Sequence, residues 1–180
     1  AIYTQVAHNI YFDGTNWRLK AASGAGLISF ASDTISFQNA PTGAAGAITT
    51  PVPCLSIDTS NRVLATAPAG LGYGTGAGGT VTQATSKSTA VTLNNPCGQI
   101  TMHNAALAAN TTVSFTVNGL IAATDMILVS ANWGANPGAY QVWATSTGTG
   151  GGIISVRNMT AGSLSDALVI NFAIIKGVTA

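Results

Sequence analysis

Nine residues, NWGANPGAY at 132–140, hold most of the recognition chemistry in this chain. Asn132 and Asn136 place amide donors and acceptors on either side of Trp133, and Tyr140 closes the stretch. Gly and Pro turn the backbone here, which brings the indole toward the surface. A flat aromatic flanked by amides suits a sugar ring, whose C–H face stacks while its hydroxyls take hydrogen bonds. The competing reading of Trp133 is a cap on a core or a contact between subunits. Asn132, Trp133, Asn136 and Tyr140 are the candidate ligand-binding residues.

Material for catalysis is scarce. The chain has no Glu, and its acids are Asp13, Asp33, Asp58, Asp125 and Asp166, scattered singly. General acid–base work needs two convergent carboxylates or a His near a nucleophile. His103 ends the stretch QITMH and Asp125 opens a later strand, but no G-x-S-x-G elbow accompanies them. No catalytic residue is assigned, and an enzyme is not expected. GTGAGG has the spacing of a dinucleotide loop through Gly74, Gly76 and Gly79. A β-like segment follows it where that motif needs a helix, and the required acid is missing, so it reads as a hinge. His8 and His103 read as ordinary polar side chains, although three-fold symmetry would gather one copy of either from each subunit. No metal site and no cofactor are assigned. Cys54 and Cys97 stand outside any C-x-x-C pattern and read as buried free thiols, with a disulfide as the alternative.

Charged residues are 6% of the chain, with a net charge of +1, against about 25% in ordinary globular domains. Such a surface has no field to attract nucleic acid or anionic lipid. No stretch reaches the ~18 consecutive apolar residues of a membrane span, so membrane insertion is not expected. The first ten residues lack a basic segment followed by an apolar one, and no secretory leader is read there. Little charge also means little repulsion between copies, which favours a homo-oligomer.

The elements that must position these groups are strands. Ala, Thr and Gly are the commonest residues, and β-branched Thr, Val and Ile recur with apolar residues alternating at period two. The organisation expected is all-β: a β-rich stem over 1–71, a Gly-rich hinge over 72–80 and an antiparallel β-sandwich head, jelly-roll-like, over 81–180. Head strands are predicted near 80–85, 88–94, 97–103, 111–118, 125–132, 139–146, 152–159 and 167–176. In the stem, Asp13-Gly14 predicts a two-residue hairpin turn between Tyr11-Phe12 and Trp17. The remaining stem segments are short, and Pro41, Pro51 and Pro53 interrupt any sheet. Intertwining with other copies is expected to supply the missing cover, so Trp17 is assigned to a trimer contact or to a preceding stem domain. Trp143, on the Gln/Thr face of its strand, is assigned to a subunit contact. Ile175 joins it, because the last strand is apolar on both faces and calls for core on one side and a neighbour on the other.

IYFDGTNWRLKAASGAG, followed by SFQNAPTGAAGA and LSIDTSNRV, resembles repeats in bacteriophage tail fibres and related tail proteins. The part from GYGTGAGGTVTQ onward is similar to the C-terminal head of phage and prophage tail fibres. The resemblance implies a homotrimeric, receptor-binding fibre tip on the virion, attaching to a bacterial surface polysaccharide or lipopolysaccharide. It does not extend to the self-cleaving chaperone type, since no Ser/Lys/His-rich helical segment follows IDTSNRV. Two alternatives are kept: the trimerising, glycan-binding cap of a depolymerase tailspike, and a purely structural trimerisation domain.

Overall fold

Alternating β-branched and small polar residues favour extended backbone, and every described element of the chain is a strand. A computed structural model describes residues 3–31, 34–67, 70–132, 136–147 and 150–178. The chain divides into two compact units, Ala1–Gly72 and Tyr73–Ala180.

The first unit contains β1 (Tyr3–His8), β2 (Ile10–Phe12), β3 (Trp17–Leu19), β4 (Ser23–Ala31), β5 (Thr34–Gly43), β6 (Ile48–Thr49), β7 (Val52–Ile57) and β8 (Val63–Ala65). Five of them form one antiparallel sheet in the order β1-β4-β5-β7-β8, and β2-β3-β6 form a smaller one. The expectation of scraps broken by proline needs correction. β5 runs for ten residues through Pro41, and Pro53 enters the sheet where β5 and β7 slip register between Phe37 and Gln38. A bulge at that point absorbs the missing N–H.

The register gives this sheet two unlike faces. Thr4, Phe30, Ile35, Ile57 and Val63 stand in one row, and Val6, Ile28, Phe37, Leu55 and Ala65 in the next row of the same face. The intervening row, Gln5, Ser29, Ser36, Ser56 and Leu64, points the other way. The apolar face is uncovered: Val6, Phe30, Phe37 and Val63 are all exposed. Buried apolar side chains of this unit are Ile10, Leu19, Leu27 and Ala40.

The aromatic hairpin forms, with a different turn. Phe12 pairs with Trp17 across a four-residue loop, not a two-residue one. Asp13 decides this, since its Oδ1 accepts the backbone N–H groups of Thr15 (2.9 Å) and Asn16 (2.7 Å), and Gly14 takes a φ of +97°. Trp17 packs in part on its own hairpin, its ring 5.4 Å from that of Phe12.

The second unit contains β9 (Gly78–Thr82), β10 (Val91–Leu93), β11 (Cys97–Thr101), β12 (Thr112–Gly119), β13 (Met126–Asn132), β14 (Tyr140–Ser146), β15 (Gly151–Asn158) and β16 (Val169–Ile175). β9 therefore begins inside the stretch expected to be hinge. The sheets β10-β12-β15-β14 and β13-β16-β11-β9 share one core. Phe115, Val117, Ile154 and Val156 enter it from the first sheet, and Ile100, Ile170, Phe172 and Ile174 from the second. The arrangement is that of a β-sandwich. It is not wholly antiparallel: β10 runs parallel to β12 and β9 parallel to β11. The chain passes from β9 to β10 in the opposite sheet before returning to β11, and this crossover reverses the expected sense. Cys54 and Cys97 are free, half-buried thiols, one in each unit.

Candidate functional site

One end of the sandwich gathers the segments that follow β9, β11, β13 and β15, and three buried polar side chains tie them together. Gln83 donates to the carbonyls of Lys87 (3.0 Å) and Thr89 (2.8 Å) and accepts from the His103 backbone N–H at 3.0 Å. The Lys87 ammonium donates to the His103 carbonyl at 2.7 Å and also to that of Asp166. Asn158 donates to the carbonyls of Leu107 (2.9 Å), Ala108 (3.2 Å) and Gly162 (2.8 Å), while its own oxygen accepts from Thr160. Buried polar groups satisfied this fully fix the loops that carry them. Burial pushes the Lys87 amine below the usual lysine range, opposed by the nearby Asp166 carboxylate.

On this platform two of the sequence candidates meet. Asn136 Nδ2 donates to Asp166 Oδ2 at 3.0 Å, and the Tyr140 hydroxyl donates to the same oxygen at 2.9 Å. Tyr140 ends the turn and starts β14 with its ring largely buried, holding Asp166 while bordering the cleft along β13 and β14. Burial, and then the charge and hydrogen bond of Asp166, push its phenol up to about 12. Asn136 is exposed, and so is Asn132 at the end of β13, opposite Val169. Trp133 lies outside the described residues. A cleft of about 230 Å³ opens beside Tyr140 along β13 and β14, lined by Val129, Ser130, Ala131 and Val142. Drug-sized ligands occupy roughly 300–1,000 Å³, so this cleft suits one ring, not a chain.

Asp166 and Lys87 were absent from the sequence candidates. A lone acid in a loop carries no periodicity, and its partners lie 26 and 30 positions away. The remaining head acid stands elsewhere. Asp125 precedes β13 at the other end of the sandwich, where it accepts from Ala122 N–H (2.8 Å), Lys176 Nζ (2.7 Å) and Gly177 N–H (3.2 Å). The Ala122 N–H first, and then the Lys176 ammonium, hold its carboxyl below the usual range. A seven-residue strand, β13, separates the ends, about 20 Å at a rise of ~3.3 Å per residue. His8 is exposed on β1, while His103 accepts the Ala105 N–H on its Nδ1 at 3.0 Å. Among the described residues no group of three metal-ligating side chains converges.

The candidate contact residues occupy other places. Trp17 is half-buried in the hairpin, and Trp143 stands 38% exposed on the outer face of β14. Ile175 is 52% exposed, paired with the exposed Met126 across the outer face of β13 and β16. Comparison with family models, curated proteins and solved structures finds no match.

Proposed function

We propose that the chain is the receptor-binding tip of a phage tail fibre, a homotrimer that attaches the virion to a bacterial surface glycan. The observation that carries the glycan reading is the convergence of Asn136 and Tyr140 on Asp166, beside the segment bearing Trp133. The Asn136 amide and the Asp166 carboxylate form a hydrogen-bonding frame for sugar hydroxyls. Attachment without cleavage is supported by the two head acids: about 20 Å along the strand axis lies far outside the ~5–9.5 Å span of glycosidase pairs.

Trimer formation is supported by two uncovered apolar surfaces. The face of the five-stranded sheet measures about 24 by 20 Å from ordinary strand spacings, or roughly 500 Å². That sits near the upper limit of what monomers expose, and below the ~800 Å² per partner of a stable complex. Met126, Leu128 and Ile175 supply a second exposed apolar surface on the head. Among the described residues none in these rows is charged, and copies of the same chain are the occupant proposed for them.

Glycan-array binding by the purified chain tests the reading. Binding to a discrete set of bacterial polysaccharides is expected, weakened at least tenfold by Trp133→Ala and less by Asn136→Ala. A chain that binds no glycan overturns it in favour of a structural trimerisation domain.

A further inference from the structure

The outer face of β12, β15 and β14 combines hydroxyls, an indole and a guanidinium. Register places Ser114, Ser155 and Trp143 in one row and Thr112, Arg157 and Gln141 in the next. Ser114 and Ser155 share a hydrogen bond at 2.8 Å, and Ser155 is only 7% exposed between its row neighbours. Trp143 is 38% exposed beside them. Arg157 is exposed too, and among the described residues no carboxylate pairs with it. No acid lies in either row.

We propose that this face is a second binding site, selective for acidic polysaccharide of the hexuronate class. The sugar ring stacks on the Trp143 indole, and the uronate carboxylate takes the Arg157 guanidinium in a paired hydrogen bond. Trp143 and Arg157 are diagonal neighbours on adjacent strands, a separation of roughly 7–8 Å between backbones that both long side chains span easily. Gln141 and the Ser114 hydroxyl lie within the same two rows to meet ring hydroxyls. A neutral glycan would leave the guanidinium without a carboxylate partner, while Ile153 in the adjoining row adds a small apolar edge beside Trp143 on which a ring face can rest. The unpaired cation therefore selects the acidic sugar. The inference rests on the glycan-binding reading for its ligand class, while its residues are separate from the Asp166 site.

The test titrates the full chain with polygalacturonate, alginate and hyaluronate oligosaccharides, each also as its methyl ester. Binding of at least one acid form is expected, tenfold or more tighter than its ester. Trp143→Ala should weaken it at least tenfold, and Arg157→Gln should remove the preference for acid over ester. Asp166→Asn should leave it unchanged. If none of the acids binds, or if the two variants bind like the parent, the proposal is wrong. Loss of binding in Asp166→Asn alone would assign the ligand to the first site and also overturn it, while leaving the general glycan reading intact. A fall in oligomeric mass with Trp143→Ala would make this face a subunit contact instead.

Discussion

The two units solve the same problem with opposite success. In the head, both sheets direct one row of alternating side chains into a shared core, and Ile100, Ile154, Val156 and Ile170 are at most 1% exposed. In the first unit the five-stranded sheet is as regular, yet its richest apolar face stays exposed among the described residues, with Val6 62% and Val63 66% exposed. Strand pairing alone does not make a domain: hydrogen bonds contribute little net stability, and burial of apolar area supplies the driving force. One unit buries its apolar rows within itself; the other leaves them exposed.

Separating the units should give the largest effect. A chain of residues 73–180 should melt cooperatively, whereas residues 1–72 alone should show no cooperative transition by circular dichroism. A sharp melt of the shorter piece would break the comparison. Next in size come core truncations: Phe172→Ala should destabilise the head by about 3–5 kcal/mol in denaturant unfolding. Phe37→Ala in the first unit should cost a comparable amount only when the chain is assembled, and little in any dissociated form.

Close backbone approach gives a smaller test. Gly98 pairs with Gly79 in the parallel β9–β11 ladder, and a Cβ on Gly98 would clash with the Gly79 carbonyl oxygen. Gly98→Ala should destabilise the head by about 1–3 kcal/mol, with no effect on the first unit. The Tyr140–Asp166 bond is read spectroscopically. One tyrosine should titrate near 12 by tyrosinate absorbance, and Asp166→Asn should shift that titration downward, leaving the burial contribution in place. Because the folded phenol ionises later than the unfolded one, near 10, this group's stabilising share is intact below 10 and fades as pH rises toward 12.

Acid should act most weakly. Asp13 is held down to about 2, first by the Asn16 N–H and then by Arg18, and Asp58 is lowered first by its side-chain bond to Arg62. Their folded carboxyls ionise below the unfolded value near 3.9. Their contribution is therefore present above about pH 4 and lost as pH falls through each lowered value, about 2 for Asp13. Both pairs are at the surface, so Asp13→Asn should move the melting temperature by little.

The head strands were legible because burial enforces the alternation. Val113, Phe115 and Val117 announce β12, and its position agrees with the expected one to within a residue or two. The sense of β9 and β10 was not legible, since a crossover between sheets leaves no mark on local periodicity. Nor was the first unit's sheet, where Pro41 and Pro53 counted against strands that a bulge and a long partner in fact accommodate. Asp13 hid its four-residue loop behind the stronger-looking Asp-Gly signal. At the candidate site, Asn136 was visible from its turn chemistry, but Asp166 became visible only when folding brought it to Tyr140.

The proposed trimer closes the exposed face of the first unit with other copies of this chain. Sedimentation equilibrium of the whole protein at micromolar concentration tests it most directly. A single species of about three times 18.0 kDa is expected; a folded, stable 18.0 kDa monomer would contradict the trimer.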